Sequence, residues 1–435
     1  MKKYALFAAA ALVALAACSK NEVKPQTPET PVDDDSPVAV QFGVGAPSAS
    51  VSTKATGSVG DIAGVNNVWN SQSLYIMGFD RSMTDFTNAA STDPEQTGRA
   101  FIWNVMATAP SGVESGVINV YNPDANNDGT TDTPPSTEPF YYQGKTVYDF
   151  YGYHVDDAWA TVDAGTYTPS AQPVAPKVEQ NRIYVPFVIT GAQDLMIAKA
   201  NPAEDVKKAT ETIAEENAYS AYAARRGVQP NLLFEHQLAR FKFEIVPGAE
   251  SANDVQVNLI ELASRTSGNL VVVGENRGIK DVVTTGDPTY LKLQEKTQEG
   301  TLQPMTPAEP EAWVGEKEKE DQATKAVGES IMVIPGEEIY KLRLTLGFRN
   351  QDTQTPVKPQ EFDVLASTLV NEGGTSTGAT TFEAGKSYKV TIVIYGLEDV
   401  EITATLDDWK DGGSSILDPD QPPVDPDAGG SGQGN

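Results

Sequence analysis

Few residues of this chain are of a type and spacing that could do chemistry. Among 435 residues there are two histidines and one cysteine. His154 lies in the aromatic run VYDFYGYHV and His236 in LLFEHQLARF, with no second histidine or cysteine at metal-ligand spacing. Each reads as a packed or hydrogen-bonded structural residue. GTSTG, from Gly374 to Gly378, has the form of a nucleophile elbow, which requires a strand before Ser376 and a helix after it. It sits instead in the small polar stretch NEGGTSTGATT, which reads as a loop. TTFEAGKS ends like a phosphate loop, but Thr380 stands where the first glycine belongs and a strand pattern follows. In DANNDGTTDTPP, residues Asp124, Asn126, Asp128 and Gly129 match calcium-loop positions, yet Pro135 replaces the bidentate glutamate. That stretch reads as an Asx-rich surface turn, with calcium as the alternative. Trp159 could join an aromatic platform for sugars, or simply pack in a core. No nucleophile–base pair, metal cluster or cofactor motif emerges, so neither an enzyme nor a bound cofactor is expected.

The cysteine, Cys18, has a different setting. Met1-Lys2-Lys3 is a short positive start, Tyr4 to Leu15 is apolar apart from one hydroxyl, and Ala16 and Ala17 are small. This is a signal peptide over residues 1–17, too short for a spanning helix of ~20 apolar residues. Leu15-Ala16-Ala17-Cys18 resembles a bacterial lipobox, in which the cysteine is acylated by chains such as palmitate and becomes the first residue. Two or more acyl chains anchor firmly, because each buried CH₂ contributes ~0.8 kcal/mol. With no second cysteine the exported chain forms no internal disulfide.

The net charge is −28, which opposes nucleic acid and anionic lipid surfaces. Residues 18–37 are proline-rich and acidic and read as a lipidated disordered tether; residues 411–435 read as a disordered acidic tail. Between them lie short β-branched and aromatic runs bounded by Gly, Pro and Asp. VAVQFGV places Val38, Val40, Phe42 and Val44 on one face. Leu342, Leu344, Leu346 and Phe348 repeat with period two, as do Tyr388, Val390, Ile392 and Ile394. Such spacing predicts an all-β chain of two tandem β-sandwiches, each of about seven strands, over residues 38–248 and 249–410. Residues 201–227 carry a helix signature and are read as a surface helix in an insertion: Asn201 as cap, Pro202 in the first turn and Gly227 as terminator.

The lipobox, VYDFYGYHV followed by YVPFVITGAQDLMIAKA, then LLFEHQLARFKFEIVPG and the closing EAGKSYKVTIVIYGLEDVEITATLDDW together resemble the fimbrillins, lipoprotein subunits of type V pili. The resemblance runs from about residue 140 to 410, plus the anchor, and the insertion is longer than it implies. It implies a Greek-key, transthyretin-like sandwich in each half. It further implies export to the outer membrane and cell surface, trimming by a trypsin-like protease, and assembly with other fimbrillin subunits by strand exchange into an adhesive fimbrium. Cleavage would fall between Lys54 and Ala55 and release the strand of Val38, Val40, Phe42 and Val44. The family's processing residue is usually arginine; the first arginine here, Arg81, lies beyond Trp69. That departure keeps an alternative open: a non-polymerising surface lipoprotein, either a tip or anchor adhesin or a glycan binder, facing a host or bacterial receptor. Val400, Ile402, Ala404 and Leu406 alternate with polar residues and are either a donor strand for a neighbour or the last strand of their own domain.

Overall fold

The computed structural model describes residues 37–46, 69–93, 95–125, 130, 132–209, 211–252, 254–296, 302–306, 312–313, 325–348, 359–371, 374–397 and 400–407. Strands dominate them, arranged in several mostly antiparallel sheets, as a β-sandwich protein requires. No helix among the described residues is long and apolar enough to cross a membrane.

A five-stranded sheet organises the first part. Its order is Glu235–His236, Leu195–Lys199, Tyr148–Val155, Ser73–Asp80 and Ile102–Thr108. Side chains alternate across a pleated strand, and here both faces are covered. Tyr148 and Phe150 enter one core while Tyr151, Tyr153 and Val155 enter another. Leu74 and Ile76 likewise oppose Tyr75, Met77 and Phe79, and Met196 and Ala198 oppose Leu195 and Ile197. That double burial explains why SLYIMGF and DLMIA are continuous apolar runs. Chain packing is close enough that glycine is needed: a Cβ on Gly152 would lie 2.7 Å from the ring of Phe234.

The smaller core holds the N-terminal strand Phe42–Gly45 in the three-stranded order Asn231–Leu233, Phe42–Gly45, Ser115–Ile118. The larger core is lined by Ala239–Pro247, which pairs in parallel with Ser387–Ile394 and antiparallel with Lys325–Val333. Facing it are Val255–Ser264 and Ile339–Phe348, the longest strand pair. Arg182–Val188 pairs with Ser267–Val273, so hydrogen bonding links residues on both sides of position 248. Leu342, Leu344 and Leu346 are buried as their period predicts, but Phe348 ends its strand 43% exposed.

The helical insertion is present, and it is neither continuous nor superficial. It comprises the helices Pro202–Asp205 and Ala221–Ala224 and the 3₁₀ turns Val206–Lys208 and Glu215–Asn217. Ala209 and Ala214 are extended, and Tyr219 has φ of 64°, which together break the helix and turn apolar side chains inward. Ile213, Ala218, Tyr219, Ala223 and Val228 are buried in the smaller core. Burial of these side chains outweighs the weak propensity of isolated helical turns. Asn201 makes no side-chain cap, whereas Gly227, at φ 81°, ends the second helix as expected.

Candidate functional site: a buried strand and its seat

The N-terminal strand is a middle strand. Gly43, Val44 and Gly45 pair in parallel with Asn231, Leu232 and Leu233, and Phe42 to Gly45 pair antiparallel with Ile118 to Ser115. Beyond the regular ladder, Val40 N donates to Phe140 O at 2.8 Å, Ala46 N to Glu114 O at 2.7 Å and Phe234 N to Gly45 O at 3.1 Å. Gln229 adds a side-chain clasp: its Nε2 donates to Ala39 O at 3.2 Å, and its Oε1 accepts from Gln41 N at 3.2 Å and Tyr142 OH at 3.1 Å.

The alternation read from the sequence sets the packing. Val40, Phe42, Val44 and Ala46 are buried, and Val38 packs at the margin of the same core. Phe42 meets Phe150 edge-on at 5.1 Å, and Trp69 meets Phe234 edge-on at 5.4 Å. At ~1.5–3 kcal/mol per fully buried side chain, Val40, Phe42 and Val44 together contribute roughly 5–9 kcal/mol as an upper figure. That is comparable with the whole stability of an ordinary domain, ~5–15 kcal/mol. Withdrawing the strand would bare this apolar seat and leave two facing edges of unpaired backbone groups.

The insertion braces one wall of the seat. Asp205 Oδ2 accepts from Tyr219 OH at 2.6 Å and from Asn231 N at 3.0 Å, and Lys208 Nζ lies 2.9 Å from Oδ1. Burial, reinforced by that carboxylate, holds the Tyr219 phenol protonated far above its ordinary range, so it acts as donor. Asn231 is the residue paired with Gly43, so this network touches the seat directly. Sequence reasoning missed Asp205, Tyr219 and Gln229. The available signal was an acid and a tyrosine among the small apolar residues of an insertion otherwise rich in exposed charge.

Other residues singled out from sequence fall elsewhere. Cys18, Lys54, Ala55, Asn126, Asp128 and Gly129 lie outside the described residues. Ala46 and Trp69, the described residues flanking the Lys54 segment, bond to the adjacent carbonyls of Glu114 and Val113. Arg81 is committed to the fold: it pairs with Asp149 at 2.8 Å and donates to the carbonyls of Tyr148 and Ala218. Val400, Ile402, Ala404 and Leu406 lie on Val400–Asp407, paired antiparallel with Ser387–Ile394 in the same chain and packed on the larger core. This strand ends its sheet; its outer edge meets Val370, whose carbonyl accepts from Leu406 N. His154 and His236 both flank Met196, with His236 Nδ1 2.6 Å from the buried carboxylate of Asp194. Trp159 is buried against Tyr75 and Tyr153, a core residue and not a platform. Ser376 bridges to Val370 in a loop. Among the described residues no group of three or more His, Cys, Asp or Glu side chains is arranged to hold a metal.

Comparison with known proteins gives one match of sequence. The family of fimbrillin-like proteins matches residues 87–409. No curated protein matches the chain. Among solved structures, a candidate cell adhesion protein from Bacteroides uniformis is 14% identical, covering 86% of this chain and 99% of that one at a TM-score of 0.43. A fimbrilin from Porphyromonas gingivalis is 10% identical over 86% of this chain and 98% of that one, TM-score 0.39. The tip fimbrial protein Mfa3 of the same species is 12% identical over 85% and 99%, TM-score 0.34.

Proposed function

The chain belongs to the fimbrillin-like family, and from that premise we propose that it is a structural subunit of a surface fimbria that polymerises by exchanging its N-terminal strand. The observation that carries this reading is the burial of Val40, Phe42 and Val44 in a seat hydrogen-bonded along both edges. The subunit is exported as a lipoprotein on Cys18, reaches the outer membrane and is cut between Lys54 and Ala55 by a trypsin-like protease. The freed strand then leaves, and a strand from another fimbrillin subunit takes its place, with main-chain bonds giving affinity and alternate side chains giving register. The engagement of Arg81 in the folded body supports Lys54 as the cut, since Lys54 is the only basic residue between the N-terminal strand and Trp69. Val400, Ile402, Ala404 and Leu406 would supply the incoming face after detaching from Ser387–Ile394. Trypsin treatment of the purified precursor should yield an N-terminus at Ala55, followed by SDS-resistant oligomers, while Lys54→Ala stays monomeric. Efficient polymerisation of Lys54→Ala with its N-terminal strand intact would overturn the mechanism and favour the tip or anchor adhesin.

A further inference from the structure

A cleft of about 950 Å³ lies beside the turn that follows Ser267–Val273. Its wall carries Tyr151, Lys199 and Arg277. Lys199 Nζ lies 5.2 Å and the Arg277 guanidinium 5.9 Å from the centre of the Tyr151 ring. The cations of the cleft are not equally compensated. Arg182 is held by Glu179 and Asp281, each at 2.7 Å. Lys199 has Asp149 at 3.2 Å, a carboxylate already shared with Arg81. Arg277 has no carboxylate within ion-pair distance among the described residues, and its Nη1 is out of solvent contact with no hydrogen-bond partner. Burial depresses its pKa, against the opposing pull of Tyr151 and Glu235. A partly desolvated guanidinium whose opposing carboxylate, Glu235, acts from beyond ion-pair distance is further stabilised by an anion in direct contact.

The remaining lining narrows the anion. Thr84, Asn181, Glu275 and Asn276 are exposed hydrogen-bonding side chains around the same opening, suited to a ligand rich in hydroxyls. The cleft has the size of an ordinary small-ligand site. We propose that this cleft binds a carboxylate-bearing saccharide, with Arg277 and Lys199 meeting the carboxylate and Asn181 and Asn276 meeting its hydroxyls. The residues that line the cleft are distinct from those that seat the N-terminal strand.

The test is calorimetric titration of the purified full chain at low salt with digalacturonate, its neutral methyl ester and inorganic phosphate. Digalacturonate should bind, and the ester should bind at least about tenfold more weakly, the effect of removing one charge-assisted contact. Arg277→Gln should weaken digalacturonate by about tenfold and leave the ester unchanged, and added NaCl should act in the same direction. Lys199→Gln provides a second reading if Arg277→Gln does not fold. Equal binding of acid and ester, phosphate binding as tight as digalacturonate, no binding of digalacturonate, or indifference of the folded variants to it would each overturn the proposal.

Discussion

At the scale of single residues, two contacts decide more than their positions in the sequence suggest. Asp194 and His236 belong to separate motifs, and the fold joins them as a buried pair 2.6 Å apart. Burial holds the His236 pKa below its ordinary value, against the opposing pull of Asp194, with Arg240 and His154 adding to the depression. The unfolded chain therefore takes up a proton that the folded chain refuses. Stability contributed by neutral His236 is intact above the unfolded pKa of ~6.5 and is lost as pH falls toward the folded value. Thermal melts of the wild type should fall in Tm between about pH 7 and 5, and His236→Phe should flatten that slope; an unchanged slope would refute the assignment. Gly152 is the second case. Its absent Cβ lets the Phe234 ring approach, so Gly152→Ala should cost about 1–3 kcal/mol in urea unfolding.

At the scale of elements, the N-terminal strand and the insertion act on one seat. Phe42→Ala removes a buried ring that packs on Phe150, at a cost of ~3–5 kcal/mol in precursor stability. Since the strand would then be held less firmly, its release after trypsin should quicken, as a native-gel time course would show. Asp205→Ala leaves Tyr219 OH and Asn231 N without their shared acceptor and should lower stability by about 2–4 kcal/mol. Deleting residues 399–435 should abolish polymers if Val400–Asp407 is the donor; a folded deletion mutant that still forms ladders would assign the strand to its own sheet alone. The alternation of Val40, Phe42 and Val44 was legible because a period of two needs no tertiary knowledge. The insertion was not: Tyr219 in a left-handed conformation and the extended Ala209 and Ala214 answer to a core that only the fold assembles. Nor could SLYIMGF reveal its two buried faces, since a continuous apolar run fits a buried helix as well as a buried strand. The seat's clasp, Gln229, is a polar residue whose partners Ala39 and Gln41 are distant in sequence.

At the scale of the molecule, a net charge of −28 means that subunits repel as they approach. Strand exchange requires such an approach, so oligomer formation after cleavage should accelerate as NaCl rises toward ~0.15 M, where the Debye length shortens to about 8 Å. A rate independent of salt would show that strand departure alone limits assembly. The seat of Phe42–Gly45 also bears on mechanics. Its occupant is bonded on both flanks, parallel to Asn231–Leu233 and antiparallel to Ser115–Ile118, with the rungs lying across the strand axis. Traction along that axis therefore strains all the rungs together, in shear, and does not unzip them one by one from an end. A strand that replaced Phe42–Gly45 in the same direction would take up the same geometry. If the proposed cut and strand exchange occur, the joint they make would hold under tension in flowing liquid, without a covalent bond across it.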